Sequence, residues 1–275
     1  MLLGYNTNGF AHHRLEDAID VIAGIGYRSV ALTLDYHALN PYGDAYEDQK
    51  AGVAQLLKRH DLRCVIETGA RFLLDPMRKH QPTLLDPNAH ERAKRRTFLI
   101  KAIDLAADLN ADAVSLWSGA APQATGEVDA MHRLVDECKA LVDHASDKTV
   151  RLAFEPEPGM LIDTMSQFKT LHDRIKHPLF GLTLDVGHVH CLDDGDPVEH
   201  IRAWSGKLFN VHIEDMRRGV HDHLMFGEGE MEFRPIIEAF RDIDYGGGLH
   251  VELSRHSHNA VAAAHLGQIY HDTGD

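Results

Sequence analysis

Apolar and polar positions along the chain alternate between short β-type runs and longer stretches with helical spacing. The β-type runs fall at Leu2 to Asn6, Ser29 to Leu34, Arg63 to Thr68, Ala113 to Trp117, Arg151 to Glu155, Gly181 to Asp185, Phe209 to Ile213 and Leu249 to Leu253. Between them lie amphipathic segments, such as Leu15, Ala18, Ile19 and Ile22 at i, i+3, i+4, i+7, and Phe98, Ala102, Leu105, Ala106 and Leu109 further on. Gly24-Ile25-Gly26 and Asn110-Ala111-Asp112 end helices just ahead of the next strand, as helix C-caps do. Eight strand-then-helix units in 275 residues predict a single (β/α)8 TIM barrel formed by one domain spanning 1–275. An open doubly wound sheet seldom needs eight equal repeats. No GxGxxG or GxxxxGK[ST] follows the first strand, so nothing marks a nucleotide phosphate loop.

Composition narrows the function classes. The chain is 44% hydrophobic, enough for one sizeable core without demanding a second domain. Lys plus Arg number 28 against 42 for Asp plus Glu, a formal charge of -14, so the average surface repels a phosphodiester backbone and no nucleic-acid partner is expected. The start, MLLGYNTNGFAHH, has no basic segment leading into an apolar one, and no run of about 18 apolar residues occurs. The chain therefore reads as cytoplasmic, with no membrane partner; a homo-oligomer stays open. Cys64, Cys138 and Cys191 are odd in number, widely spaced and in no CxxC pattern, which predicts reduced thiols instead of a disulfide framework or a thiolate zinc site. The unusual count is 21 histidines, and their positions carry the information.

In a parallel barrel the C-terminal strand ends face the active site. The last four predicted strands each supply a polar residue there: Glu155, Asp185, His212 and Glu252. Taken singly, each is explained by solvation or by capping the next helix. Taken together, three carboxylates converging without a cation would repel one another, whereas a hard or borderline divalent ion accepts carboxylate oxygens and one imidazole. The set suits one divalent metal, Mn2+, Co2+, Mg2+ or Zn2+, with positions left for substrate oxygens. Redox iron is disfavoured, because its facial triad has two histidines and one carboxylate.

The pattern Glu155-Pro156, Asp185-x-x-His188, His212-x-x-Asp215 and Glu252 resembles the xylose isomerase-like TIM-barrel superfamily, which includes sugar phosphate isomerases/epimerases, ketose 3-epimerases, hydroxypyruvate isomerases and inosose dehydratases. The resemblance covers essentially the whole chain. It implies Glu155, Asp185, His212 and Glu252 as metal ligands, with Glu155 and Glu252 doubling as the acid/base pair. It also implies His188 as a substrate-binding histidine and Arg217 or Arg218 as a substrate-contacting arginine. The superfamily contains endonuclease IV-type enzymes with three zinc ions. His188 and the pair His221-x-His223, followed by Gly227-Glu228-Gly229, resemble the positions of their third zinc, with His221 where that family usually has Asp. The two histidines that complete its first zinc have no counterpart, because the third and fourth strands end in Glu67-Thr68-Gly69 and Trp117-Ser118-Gly119. Lining the pocket and bonding sugar hydroxyls is the other reading of His221 and His223, beside a second Zn2+.

Three further features belong to the predicted mouth. Glu67 and Arg71 follow the third strand, as substrate contacts or, for Arg71, as an ion pair that closes the loop. The segment from Leu73 to His90 carries Arg78, Lys79 and His80 with prolines at 76, 82 and 87, and suits either a lid that holds a substrate phosphate or carboxylate or a solvated loop. Trp117 either stacks on a sugar face or packs. The function expected is isomerisation or epimerisation of a small carbohydrate, a ketose, inosose or related polyol, by proton abstraction and a metal-stabilised enediolate. A dehydratase or lyase acting on an inosose or keto-glycoside begins with the same proton abstraction, and a metal-dependent phosphodiesterase is the remaining alternative.

Overall fold

In the computed structural model, which describes residues 1–121 and 126–273, every barrel strand lies within two residues of its predicted ends. The strands are β1 (Leu2–Asn6), β2 (Ser29–Thr33), β3 (Arg63–Glu67), β4 (Val114–Leu116), β5 (Leu152–Phe154), β6 (Phe180–Asp185), β7 (Leu208–Ile213) and β10 (Gly248–Val251). They close in the order β1-β10-β7-β6-β5-β4-β3-β2, with all eight neighbouring pairs parallel. Helices α1 (Leu15–Ile25), α2 (Tyr46–His60), α3 (Ala89–Asp108), α4 (Glu127–Lys148), α5 (Met165–Ile175), α8 (Phe233–Asp242) and α9 (Ala260–Thr273) follow the strands. Two elaborations escaped the sequence reading. Two short helices, α6 (Val186–Cys191) and α7 (Pro197–Ala203), follow β6, and an antiparallel hairpin of β8 (Asp215–Arg217) and β9 (Val220–Leu224) stands on the mouth after β7.

The helix ends follow local chemistry. Gly26 at φ +124 lets its N–H return to Ala23 and Ile22 carbonyls, ending α1 where the glycines predict. Asn88 caps α3 by accepting from the His90 N–H. Thr164 and Gln167 form a reciprocal capping box on α5. Cys64, Cys138 and Cys191 are unpaired and buried. Among the described residues, no helix is long and apolar enough to cross a membrane.

Because side chains alternate across a strand, each strand has an inner and an outer face. The residues Val30, Leu32, Val211, Ile213, Leu249 and Val251 belong to one buried apolar cluster with Ile19, Ile22, Phe240 and Ala264 of the helices. The alternate positions are polar or small. Ser29, Asn210 and His250 are each 0% exposed and bond to one another inside the barrel. The His250 ring fits there because the strands beside it carry glycines: a Cβ on Gly4 would lie 2.5 Å from its Cδ2, and one on Gly248 2.6 Å from its Cε1.

This packing predicts that Gly4→Ala and Gly248→Ala each destabilise the fold by about 1 to 3 kcal/mol, the usual cost of overfilling a packed interior. By contrast Gly52→Ala, in α2 with open space beside it, stabilises by about 0.5 to 1 kcal/mol through helix propensity. Urea midpoints of the three variants check the contrast, and equal midpoints would refute the steric account.

Candidate metal centre and active site

The ends of β5, β6, β7 and β10 bring Glu155, Asp185, His212 and Glu252 together. His212 is the hub: its Nδ1 lies 2.9 Å from Glu155 Oε1, 3.0 Å from Glu252 Oε2 and 3.9 Å from Asp185 Oδ2. Asp185 is held by the start of α6, where its Oδ1 accepts from the His188 N–H at 2.8 Å as the helix N-cap. That fixes the carboxylate and leaves Oδ2 buried without a hydrogen-bond partner. Glu252 is oriented by two amides from the first βα loop region, Asn8 Nδ2 at 2.7 Å and Asn6 Nδ2 at 3.3 Å. On its far edge, His212 Nε2 lies 2.9 Å from Glu67 Oε1. Ligand atoms of Glu155, Asp185 and His212 all come within 4.8 Å of one another, and the orphaned Asp185 Oδ2 is among the oxygens gathered there. A donor set of carboxylate oxygens and one imidazole fits a hard or borderline divalent ion.

The electrostatics say the same thing in terms of protons. Burial pushes the Glu155 carboxyl up to about 8, and burial followed by the nearby Glu155 raises Glu157 well above its ordinary range. Burial alone would lower His212, but Glu67, Glu155 and Glu252 around it raise it well above neutral. Burial would raise Asp185 and Glu252, yet both sit below the usual carboxylate range because of the histidines facing them, His188 and His212 for Asp185 and chiefly His212 for Glu252. Metal-free, the centre therefore holds protons between its acidic groups.

A second cluster lies beside the first. His188, His221 and His223 also have ligand atoms within 4.8 Å of one another. The His188 Nδ1–H points to the Pro156 carbonyl at 3.2 Å, which leaves Nε2 bare and 3.1 Å from His221 Nε2. Burial pushes His188 down to about 4 and lowers His221 as well, so both rings are neutral at pH 7. Glu214 joins this cluster and was missed by sequence reasoning. It is 0% exposed, burial raises it well above its ordinary range, and with Asp185 and His223 it forms another group of close ligand atoms. The signal was present: Asn210, His212 and Glu214 alternate with Val211 and Ile213, as one inward-facing polar row should. Asp215 is an anchor for the loop after the hairpin, accepting from the backbone N–H groups of Met216, Gly227, Gly229 and Met231.

Over these groups opens a cavity of about 680 Å³ with Glu155, Glu157, His212 and Glu252 in its walls and Arg71, Lys79 and Arg255 among its basic groups. Several expected contacts are placed differently from the sequence reading. Arg217 and Arg218 are not among the cavity walls: the hairpin turns them outward, Arg217 to the Glu228 carbonyl at 2.6 Å and Arg218 to Asp193 at 3.3 Å. Arg71 lines the cavity while pairing with Asp35 at 3.0 Å, so the loop-closing reading describes it. Glu67 is on the wall, but its Oε1 is taken by His212 and by Asn210 Nδ2 at 2.9 Å, which makes it a support of the ring. Trp117 borders the cavity with the Arg95 guanidinium 4.8 Å from its ring centroid on the buried side, a packing role. Of the three basic groups in the long loop, Lys79 and His80 reach the cavity, whereas Arg78 pairs with Asp75 at 2.7 Å.

Comparison with known proteins agrees with this architecture. L-ribulose-5-phosphate 3-epimerase UlaE of Shigella flexneri is 26% identical over 194 residues, covering 70% of this chain and 68% of that protein. Among solved structures, the IolI protein with a bound zinc atom is similar at a TM-score of 0.79 and 17% identity, over 98% of this chain and 96% of that one. D-allulose 3-epimerase from Methylomonas sp. is similar at a TM-score of 0.76 and 18% identity, over 100% of this chain and 98% of that one. At such identities the structural likeness speaks to the fold. The model of the xylose isomerase-like TIM barrel family matches residues 19–269, from within α1 to within α9, and this chain belongs to that family.

Proposed function

We propose that this protein is a divalent-metal-dependent epimerase or isomerase of a small ketose or related polyol, with Glu155, Asp185, His212 and Glu252 as metal ligands and Glu155 and Glu252 as the proton-transferring pair. The observation that carries the reading is His212 Nδ1 held between Glu155 and Glu252 on the wall of a sugar-sized cavity. A divalent ion bound there supplies Lewis-acid polarisation of a carbonyl and its neighbouring hydroxyl, which acidifies the adjacent C–H. Glu155 and Glu252 arrive from β5 and β10, with β6 and β7 between them in the barrel, and so flank a substrate carbon lying over His212. One takes the proton from one face and the other returns it to the opposite face. Glu157, whose carboxyl burial raises well above its ordinary range, stands on the cavity wall where it can bond a substrate hydroxyl. The names of the UlaE and allulose epimerase relatives support inversion at the carbon next to a ketose carbonyl. Lys79 and Arg255 on the rim favour a substrate with an anionic end, as in the phosphorylated pentulose that the UlaE relative's name states.

A second reading applies to His188, His221 and His223. The neutral rings of His188 and His221, with the bare Nε2 of His188 and the partnerless, buried Nδ1 of His223, support ligation of a second Zn2+ instead of contacts to sugar hydroxyls alone.

Incubation with phosphorylated and unphosphorylated ketoses in D2O tests the first proposal: the substrate takes up deuterium at the epimerised carbon, and the phosphorylated ketose is preferred. Loss of water instead would identify a lyase, and no exchange with any ketose or inosose would refute carbonyl chemistry. Glu155→Gln and Glu252→Gln each retain metal but lose about 10² to 10⁴-fold in turnover, the usual contribution of general acid/base catalysis. With each glutamate serving one face, one variant still exchanges one epimer with D2O and the other variant the opposite epimer.

Zinc titration tests the ligands. Binding must expel the protons on Glu155 and His212, both of which are held more tightly than in the free side chains, so affinity weakens as the pH falls below the value of about 8 at which Glu155 takes its proton, by up to about tenfold per pH unit per proton. Two strong equivalents in the wild type and one in His223→Ala would support the second ion, and one in both would leave these histidines as substrate contacts. Affinity independent of pH would refute the proposed ligand set.

A further inference from the structure

A continuous row of hydrogen bonds leads from the bottom of the barrel to the back of His212. The Ser29 hydroxyl lies 2.8 Å from His250 Nε2, His250 Nδ1 lies 2.8 Å from Asn210 Oδ1, and Asn210 Nδ2 lies 2.9 Å from Glu67 Oε1. The same Glu67 oxygen is 2.9 Å from His212 Nε2. Ser29, Asn210 and His250 are fully buried, so the lower bonds of the row are sealed from solvent, while Glu67 and His212 at its upper end border the cavity.

Asn210 Nδ2 also lies 3.1 Å from His212 Nε2, and with Glu67 ionised the bonds of the row take the following direction. A carboxylate oxygen accepts and cannot donate, so both the Asn210 amide nitrogen and His212 Nε2 must donate to Glu67. With the amide oriented that way, Asn210 Oδ1 faces His250 and accepts from its Nδ1–H. His250 Nε2 is then an acceptor, and the Ser29 hydroxyl donates to it. Turning the amide over would press its oxygen against the Glu67 carboxylate oxygen, two acceptors with no proton between them. The arrangement is also rigid, because Gly4 and Gly248 leave space for the His250 ring and for little else.

We propose that Glu67, backed by Asn210, His250 and Ser29, is the positioning residue of the metal centre: it holds the proton of His212 on Nε2 and thereby commits Nδ1 to the ion. This rests on His212 being a metal ligand. Glu67 touches neither the ion nor the reacting carbon in this role. It fixes the tautomer and the plane of the ring and, through the charge-assisted bond, makes Nδ1 a better donor. In the metal-free protein Nδ1 faces Glu155 and Glu252, so the nitrogen presented to the cation is the one the row leaves available.

The test uses zinc-loaded protein labelled with 15N at histidine, with the His212 signals assigned by their loss in His212→Asn. The wild type should show a protonated Nε2 and a metal-bound Nδ1 for His212. By competitive chelator titration, Glu67→Ala should bind zinc about 10- to 100-fold more weakly. Glu67→Gln, whose amide oxygen still accepts from Nε2–H, should recover most of that loss, which a general packing defect would not. Zinc on Nε2 of His212, or unchanged affinity in a folded Glu67→Ala, overturns the assignment while leaving His212 a ligand or the metal site intact. If His212 carries no zinc at all in the wild type, the ligand set falls and this assignment with it. The wild-type spectrum decides the tautomer even where Glu67→Ala does not fold.

Discussion

Negative charge concentrated at one buried point is the condition around which this molecule is organised. Glu67, Glu155, Asp185 and Glu252 surround a single imidazole, and Glu214 stands behind Asp185. In a medium of low polarisability such groups cannot all ionise without compensation. The protein answers with raised carboxyl values at Glu155 and Glu214 and a protonated His212, and the proposed divalent ion would answer it more completely by replacing those protons. The supporting contacts make sense in that light. Asn6 and Asn8 donate to Glu252, and the first turn of α6 donates to Asp185, so each carboxylate is aimed by neutral N–H groups that add no charge of their own.

The barrel makes this arrangement possible by separating two kinds of packing. Its outer face and the helices share the apolar cluster that stabilises the fold. Its interior is polar along β7 and β10, where Asn210 and His250 complete each other's hydrogen bonds and so avoid the penalty of an unsatisfied buried group. A conventional aliphatic filling of that interior would stabilise the fold as well, but it would leave Glu67 and the His212 ring without the Asn210 amide beside them.

Function is divided by depth. Acidic groups and His212 line the floor, the three histidines of α6 and the β8–β9 hairpin stand to one side, and Lys79 and Arg255 sit at the rim. A chain with a formal charge of -14 thus presents basic groups where a small anionic substrate would enter. The hairpin is held by Asp215, whose carboxylate gathers backbone N–H groups from the following loop; a Cβ on Gly229 would lie 2.1 Å from Asp215 Oδ1, so that glycine is needed for the loop to close over it.

By itself the sequence determined the barrel, its eight strands and the polar residues at the last four strand ends, because strand periodicity and strand termini are local properties and the barrel topology sends every such terminus to one mouth. It also held the row Asn210, His212, Glu214, legible as alternation though its purpose was not. What each polar residue faces was decided by tertiary structure alone. Glu67 and His212 are 145 positions apart, and only closure of the barrel brings that carboxylate, expected at the mouth as a substrate contact, within hydrogen-bond distance of the imidazole. Arg217 and Arg218 follow the same motif as His212, yet the twist and turn of a two-stranded hairpin carry them outward while bringing His221 and His223 in. Chain spacing fixes which residues lie at a strand end; the direction a side chain takes beyond that end depends on partners that only the folded chain supplies.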